Sequence, residues 1–386
     1  MSINYSLVLK LAFLAFFFIP FTQVNAESDI LIPAAPSLAA SSYILLDADS
    51  QRILAESNPD VVLPPASLTK IMTVYVVFRE LKNKRLSLDE MVTVSDKAWR
   101  TLGSKMFIEV NKQVRVEDLL KGIVIQSGND ASVAIAEHIA GDERVFAEMM
   151  NQQAQRIGMT NTHFVNATGL PAPNEHYTTA RDLALLARAL INEFPEYYRW
   201  DKEKEFTYNG ITQKNRNTLL WRDESVDGVK TGHTEAAGYC LVASAKRDDM
   251  RLISVVLGTK STSARADESQ TLLNYGFRFY ETHKLYDANT VLTTARVWKG
   301  ASDVVNLGLA EDMYVTVSRR HYKEMKATTN VDLKPLAPIK VGDSLGVVNV
   351  MLRDKIITSK PLIALNAIEQ GGFLRRAYDS ALMLIK

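Results

Sequence analysis

The residues of this chain best placed to do chemistry are Ser67 and Lys70, a serine and a lysine three positions apart. Pro65 suits the first turn of a helix, so Ser67 is expected near a helix N-terminus with Lys70 on the same face. A lysine partly buried among apolar neighbours can have a lowered pKa and accept a proton from a serine hydroxyl. The pair therefore predicts a serine nucleophile with a lysine base. An isolated pair of this kind is more often a helix cap and a lysine that reaches solvent.

Two further short motifs follow in the chain and favour the catalytic interpretation. Ser127-Gly128-Asn129 falls in a loop between predicted helices, and Lys230-Thr231-Gly232 falls in a predicted strand. Each motif is weak evidence by itself. Together, and in this order, they match the motif set of penicillin-binding proteins and serine β-lactamases.

The elements that must position these motifs change in character along the chain. The pattern predicts a hairpin over 43–54, helices over 117–122, 131–140, 180–194 and 264–280, and strands over 226–232, 239–244 and 251–257. From about residue 284 to 369 the sequence is rich in β-forming stretches and has no convincing helix. We therefore predict an α+β fold, in which an antiparallel sheet with helices is followed by a small all-β domain.

Composition excludes several classes of function. The 386 residues include 45 Lys and Arg against 44 Asp and Glu, which leaves no global field to attract nucleic acid. The single cysteine, Cys240, reads as a small buried residue, and the six histidines show no metal-ligand spacing. We predict no metal, no cofactor and no nucleic-acid partner.

Both ends of the sequence carry membrane-related signals. Residues 1–26 read as a signal peptide that ends in a small residue, which predicts export; a retained N-terminal anchor is the alternative. Residues 371–386 predict an amphipathic helix, because Phe373, Leu374, Ala377, Tyr378, Ala381, Leu382 and Ile385 fall on one side and Arg375, Arg376, Asp379 and Ser380 on the other. This helix either anchors the protein to a membrane surface, which we favour, or caps the β-rich domain.

The sequence closely resembles the low-molecular-mass penicillin-binding proteins that act as serine D-alanyl-D-alanine carboxypeptidases. Beyond the three motifs, the resemblance extends to Asn161-Thr162-His163-Phe164, Ala180-Arg181-Asp182 and Gly276-Phe277-Arg278-Phe279. It implies a transpeptidase-like catalytic domain over 27–283, a β-rich domain over 284–370 and an amphipathic anchoring helix over 371–386. One departure is the segment 99–107, which looks shorter than the Gly/Pro-rich loop usual in the group.

The resemblance also implies a role for each site residue. Ser67 attacks the carbonyl of the penultimate D-Ala, Lys70 accepts its proton, and Ser127 passes a proton to the leaving amine. Backbone N–H groups of Ser67 and His233 stabilise the oxyanion. The substrate-binding residues implied in this way are Asn129 for an amide, Lys230 for a nearby positive charge, Thr231 and Arg265 for the terminal carboxylate, and Gly232 on the same strand as Lys230 and Thr231.

The expected partners follow from this family: a peptidoglycan pentapeptide ending in D-Ala-D-Ala, β-lactam antibiotics as acylating inhibitors, and the periplasmic face of the inner membrane. Three other functions stay open, namely a β-lactamase, a D,D-endopeptidase and a non-catalytic peptidoglycan-binding protein. Against a β-lactamase, the centre of the second motif is Gly128, and no glutamate motif for activating a deacylating water follows it. His163, His176 and Asp182 are interpreted as structural, with Asp182 as a helix cap.

Overall fold

The computed structural model describes residues 32–172, 175–319, 321–332 and 334–385. The predicted signal peptide lies outside these residues. In chain order the strands are β1 (Ser42–Asp47), β2 (Ile53–Ser57), β3 (Met91–Thr93), β4 (Gln113–Arg115), β5 (Glu205–Tyr208), β6 (Ile211–Lys214), β7 (Val226–Thr234), β8 (Gly238–Arg247), β9 (Met250–Thr259), β10 (Tyr280–Tyr286), β11 (Thr293–Arg296), β12 (Val304–Gly308), β13 (Met313–Ser318), β14 (Met325–Val331), β15 (Ser344–Leu352) and β16 (Lys355–Ala364).

The helices follow the same order and fill the middle of the chain. They are α1 (Thr69–Lys82), α2 (Asp96–Arg100), α3 (Val116–Lys121), α4 (Asn129–Ala140), α5 (Glu143–Ile157), α6 (Ala180–Glu193), α7 (Pro195–Tyr198), α8 (Leu219–Arg222), α9 (Thr262–Phe279) and α10 (Phe373–Ile385). The mixed fold agrees with the predicted class, and so does the sequence of hairpin, helices and strands.

The central sheet of the first domain has the strand order β2-β1-β9-β8-β7. All its pairs are antiparallel, with Lys230 opposite Val242 and Ile44 opposite Val255. Its middle strands are buried on both faces because helices cover them, so they read as continuous apolar runs rather than alternating ones. The order leaves β7 at the edge, where its backbone is free to face the Ser67 turn.

Helix α1 is almost wholly buried, which explains its apolar sequence on every side. It contacts the edge strand β7 and helices α4, α5 and α6. Tyr75 and Phe78 contact Phe194 edge to face, with ring centroids 5.1 and 5.8 Å apart. This packing fixes the helix that follows the predicted nucleophile.

The C-terminal domain is a second antiparallel assembly, with strand order β11-β12-β16-β15-β14 and a separate pair β10-β13. Its own core includes Val297, Leu307, Val315 and Leu362. The predicted boundary after residue 283 falls inside β10. Strand β10 pairs along its length with β13, so the whole strand is grouped with the C-terminal strands.

Polar contacts join the two domains at the first hairpin. The Thr282 hydroxyl donates to the Asp47 carboxylate at 2.7 Å, and the Arg52 guanidinium donates to the Thr316 carbonyl at 2.6 Å. Asp47 and Thr282 are both buried, so their charge-assisted hydrogen bond is protected from water.

The last helix, α10, has the amphipathic character that its sequence predicts, and its orientation is informative. The Asp379 carboxylate is fully buried and accepts the backbone N–H of Lys299 at 2.6 Å, while Arg375 pairs with Asp303 and Asp379. On the apolar side, Phe373, Leu374 and Tyr378 are 76%, 82% and 61% exposed. The polar side therefore docks on the β-rich domain and the apolar side faces outward. Over the described ranges, no helix combines the length and the hydropathy needed to cross a bilayer.

Candidate active site

Ser67 lies in a single turn of 3₁₀ helix, Ala66–Leu68, directly before α1. The prediction placed it near a helix N-terminus; the α-helix itself begins two residues later, at Thr69. Ala66 has a positive φ of 47°, which turns the chain sharply and leaves Ser67 partly exposed. The turn thus presents the hydroxyl at the surface of an otherwise buried segment.

Lys70 has no solvent exposure, and its ammonium nitrogen is surrounded by three oxygens. Nζ lies 3.1 Å from Ser67 Oγ, 2.6 Å from Asn129 Oδ1 and 2.6 Å from the Thr168 carbonyl. Burial holds the pKa of Lys70 well below its usual value, and the positive charge of Lys230 lowers it further. A neutral amine has two N–H groups, which it can donate to the Thr168 carbonyl and to the Asn129 amide oxygen. Its lone pair is then directed at the Ser67 hydroxyl, as a general base requires.

Ser127 follows a wide helical turn, Gly122–Gln126, and has a left-handed φ of 66°. The side chain is 2% exposed, and its Oγ has no hydrogen-bond partner among the described residues. A buried hydroxyl without a partner is costly unless a ligand supplies one. Its backbone conformation directs it into the same cavity as Ser67.

Asn129 was expected to hold a substrate amide, and the structure gives it a different set of contacts. Its Oδ1 accepts from Lys70, and its Nδ2 donates to the Leu102 carbonyl at 2.6 Å. Next to it, the Asp130 carboxylate accepts the backbone N–H groups of Met106 at 2.8 Å and Phe107 at 2.9 Å. The start of α4 therefore orients the base and ties down the loop over 101–108.

The edge strand β7 brings the third motif against the Ser67 turn. Gly232 lies close to that turn, since a Cβ would stand 3.2 Å from the Pro65 carbonyl oxygen and 3.1 Å from Leu68 Cγ. Thr231 is buried, whereas His233 is exposed and stacks on Tyr239 with centroids 4.0 Å apart.

Lys230, on the same strand, is 6% exposed. Burial lowers its pKa to about 7, with further lowering by the charges of Arg216 and Arg265. Behind it a cavity of about 10 Å³ is lined by both lysines and by Asp201. Asp201 is buried with one carboxylate oxygen unpartnered among the described residues, and burial raises its pKa well above the usual range.

Arg265 lies in the first turn of α9 and is 7% exposed. Its Nη1 donates to the Gly232 carbonyl at 3.1 Å, and the guanidinium lies 5.7 Å above the Tyr239 ring. These are not the contacts of a solvated arginine at a helix end. These contacts place its charge beside β7.

One cavity of about 460 Å³ unites most of these groups. Its lining consists of Ser67, Gly103, Ser104, Ser127, Arg216, Thr231, Gly232, His233, Tyr239, Thr262 and Arg265. Behind Ser67, Lys70 lies within hydrogen-bond distance of the serine hydroxyl, and Lys70 in turn hydrogen-bonds to Asn129. Among the described residues, two arginines and no carboxylate line the cavity, so it suits a ligand with an anionic end. Within the described ranges, no group of three His, Cys, Asp or Glu side chains is placed to bind a metal ion.

Sequence reasoning missed several contributors to this site, among them Arg216 and Thr168. Arg216, at the cavity mouth, stands in a turn between two asparagines and belongs to no motif. Thr168 contributes a main-chain carbonyl, which leaves no side-chain signature.

The residues interpreted as structural have structural contacts. Cys240 is 1% exposed within β8, and burial raises the pKa of its thiol to about 11. At the start of α6 the cap is the Thr179 hydroxyl, which accepts the N–H of Asp182. The Asp182 carboxylate itself accepts from the Asn161 N–H at 2.9 Å and the Thr162 hydroxyl at 2.7 Å, so it braces a loop and does not cap the helix.

Comparison with known proteins gives consistent results. Residues 30–261 match the family model described as D-alanyl-D-alanine carboxypeptidase, and residues 280–370 match the penicillin-binding protein 5 C-terminal domain. The chain is 47% identical to D-alanyl-D-alanine carboxypeptidase DacC of Escherichia coli, over 95% of this chain and 93% of that protein.

Solved structures show the same similarity. Penicillin-binding protein 5 from Haemophilus influenzae superposes with a TM-score of 0.84 at 42% identity, over 88% of this chain and 100% of the other. Penicillin-binding protein D2 from Listeria monocytogenes, in its ampicillin-bound form, superposes with a TM-score of 0.58 at 32% identity, over 63% of this chain and 100% of the other. The catalytic architecture and the β-rich domain thus both have counterparts, and the chain belongs to the D-alanyl-D-alanine carboxypeptidase family.

Proposed function

We propose that this protein is a penicillin-sensitive serine D,D-carboxypeptidase that removes the terminal D-Ala from peptidoglycan pentapeptide stems through an acyl-enzyme on Ser67. The observation that carries the proposal is the environment of Lys70. The Lys70 side chain is buried, and its Nζ lies 3.1 Å from Ser67 Oγ. The oxygens of Asn129 and Thr168 accept its N–H groups, which orients the lone pair toward the serine. Membership of the carboxypeptidase family agrees with this chemistry.

Acylation follows from these positions. Ser67 Oγ attacks the carbonyl carbon of the penultimate D-Ala while its proton moves to Lys70 Nζ. The carbonyl oxygen becomes an oxyanion, for which the backbone N–H groups of Ser67 and His233 are the proposed donors. When the C–N bond breaks, Ser127 Oγ passes its proton to the departing D-Ala amine and takes back the proton held by Lys70, which leaves a neutral Lys70 amine and an ester on Ser67.

Deacylation regenerates the enzyme by the reverse proton path. A water attacks the ester carbonyl, loses a proton to Lys70, and the Ser67 oxygen recovers a proton as the shortened peptide leaves. In the part of the chain that the structure describes, no carboxylate lines the cavity to activate this water. We expect a penicilloyl ester on Ser67 to hydrolyse slowly, which favours a carboxypeptidase over a β-lactamase.

The basic end of the cavity supports carboxypeptidase activity over endopeptidase activity. A free terminal carboxylate is the substrate feature that distinguishes the first, and Arg265, Lys230 and Thr231 are the proposed readers of it. A non-catalytic binding protein would not need the buried lysine beside the serine, since removing an amine from water is costly.

The first experiment tests the nucleophile and the product. Labelling with a fluorescent penicillin should place the adduct on Ser67, and Ser67→Ala should lose it. Mass spectrometry of a pentapeptide after incubation should show loss of one alanine. A label on another residue would reject the assignment. So would a protein that cleaves a cross-linked peptidoglycan dimer but leaves the pentapeptide intact.

We also propose a location. Export through the predicted signal peptide and attachment through α10 would place the enzyme on the periplasmic face of the inner membrane, as a peripheral protein. The outward apolar side of α10 supports this proposal.

A further inference from the structure

A buried histidine outside the proposed catalytic set links two parts of the site. His176 is 5% exposed; its Nδ1 lies 3.1 Å from the backbone N–H of Val165, and its Nε2 lies 2.7 Å from Thr69 Oγ1. A backbone N–H can only donate, so Nδ1 is the acceptor and has no proton. The neutral ring then carries its hydrogen on Nε2 and donates it to the Thr69 hydroxyl.

The two partners of His176 belong to different elements. Thr69 is the first residue of α1 and precedes the proposed base, Lys70. Val165 belongs to the segment between α5 and α6, which also supplies the Thr168 carbonyl to Lys70. His176 therefore connects the helix that holds the amine with the loop that supplies one of its acceptors.

Other contacts show how closely this loop, residues 163–170, fits against α1. The Thr73 hydroxyl donates to the Ala167 carbonyl at 2.7 Å, one turn further along the helix. Gly169, with a φ of 81°, lies so near the turn of Ser67 that a Cβ would stand 1.8 Å from the Ala66 carbonyl oxygen. A small displacement of the loop would therefore change the position of the Thr168 carbonyl relative to Lys70.

We propose that His176 is a positioning residue for acylation: its neutral ring fixes the 163–170 loop to Thr69, so that the Thr168 carbonyl holds the Lys70 amine with its lone pair toward Ser67. The inference rests on the proposed function of Ser67 and Lys70. Burial lowers the pKa of His176 to about 4, which keeps the ring in this neutral form at ordinary pH.

Because His176 acts through other residues, the prediction concerns a rate and not an affinity. Saturation kinetics with a fluorescent penicillin separate non-covalent binding from the acylation rate constant. His176→Phe keeps the ring volume and removes both hydrogen bonds, so we expect acylation to slow about ten- to hundredfold with little change in non-covalent binding. His176→Gln retains a donor near the Nε2 position and should recover part of the rate.

A second variant protects the test against misfolding. Thr69→Val removes the acceptor of the same hydrogen bond with almost no change in shape. If the two side chains act through that bond, the double variant with His176→Gln should be no slower than the more affected single variant. His163→Phe is the matched control, because His163 lies in the same loop and its side-chain Nδ1 hydrogen-bonds to the Glu175 carbonyl; the acylation rate of this variant should stay near that of the wild type.

The outcomes separate this inference from the function on which it rests. If wild-type protein is not acylated on Ser67, the proposed function fails. If wild-type acylation is normal and His176→Phe lowers only the melting temperature, or weakens binding and acylation equally, the positioning role is rejected. Additive effects of His176→Gln and Thr69→Val on the acylation rate would also reject it.

Discussion

At the scale of single residues, the site depends on charges that are held in unusual states by burial. Burial removes Lys70 and Lys230 from water. At both residues it favours the neutral amine over the ammonium and so lowers the pKa. Their tasks are opposite. Lys70 must be neutral to accept a proton, whereas Lys230 must be charged to attract a carboxylate.

The need for a charged Lys230 predicts that kcat/KM falls on the alkaline side of its pH profile, which we call the alkaline limb. The pKa of Lys230 is about 7 in the free enzyme, so its ammonium loses its proton as the pH rises through that value, and kcat/KM on a peptide with a free carboxylate should fall. Lys230→Arg keeps a charge that does not titrate, so whatever activity it retains should lack this limb. An identical limb in both proteins would exclude Lys230 as its source.

Asp201 provides an independent check on the same limb. It is the acidic group facing Lys230, whose other charged neighbours Arg216 and Arg265 are basic. Asp201→Asn removes the negative charge that this carboxyl gains once it ionises above its own raised pKa, so the pKa of Lys230 should fall and the limb should move to lower pH. Asp182→Asn, a buried carboxylate that braces a loop elsewhere, is the control and should leave the limb in place.

Arg265 tests what makes the enzyme a carboxypeptidase. A charge-assisted contact to a carboxylate contributes about 1.5 to 3 kcal/mol, so Arg265→Ala should lower kcat/KM on a free peptide about ten- to hundredfold. A peptide amide without the terminal charge should be affected far less. Arg222→Ala, on an exposed arginine paired with Asp267, serves as the control. Equal losses on both substrates would remove Arg265 from carboxylate recognition.

At the scale of elements, the sequence predicts best those features that depend on local pattern. The apolar runs of β8 and β9 and the spacing in α6 give their positions directly. The left-handed Ser127 and the acceptors of Lys70 depend on contacts between distant segments. Thr168, 98 positions after Lys70, supplies only a backbone oxygen. Short motifs could therefore predict which residues meet, but not how the amine is oriented.

The loop over 101–108 should be sensitive to a change in one atom of Asp130. This buried carboxylate accepts the backbone N–H groups of Met106, Phe107 and Ile108. Asp130→Asn replaces an acceptor with a donor, which should cost roughly 1 to 3 kcal/mol of stability and loosen the Leu102 carbonyl that holds Asn129. Thermal unfolding and the acylation rate should both decline.

Asp118→Asn is the comparison for this prediction, since Asp118 is a less buried carboxylate that pairs with Arg115 at 3.2 Å. It should change neither quantity much. Full stability with normal acylation in Asp130→Asn would show that the loop is held by its other contacts.

At the scale of the whole molecule, the β-rich domain connects the catalytic domain to the helix α10. The catalytic end is fixed through Thr282 and Asp47, and α10 is fixed through Lys299 and Asp379. Because the polar side of α10 is used for docking, its apolar side remains exposed. The alternative in which α10 caps the domain would require the reverse orientation, with the apolar side inward.

Vesicle binding tests the membrane proposal without removing the helix. Leu374→Gln with Tyr378→Gln changes two exposed apolar residues and leaves the Arg375 and Asp379 contacts in place. Burial of each side chain contributes about 1.5 kcal/mol or more, so binding to vesicles of phosphatidylethanolamine and phosphatidylglycerol should weaken about a hundredfold. Activity on a small soluble peptide should not change, since the substitutions lie in another domain from Ser67.

The matched control is Val291→Gln with Val341→Gln, which alters two exposed apolar residues of the β-rich domain outside α10. This variant should bind vesicles like the wild type. Equal binding by all three proteins would show that α10 is not the membrane contact.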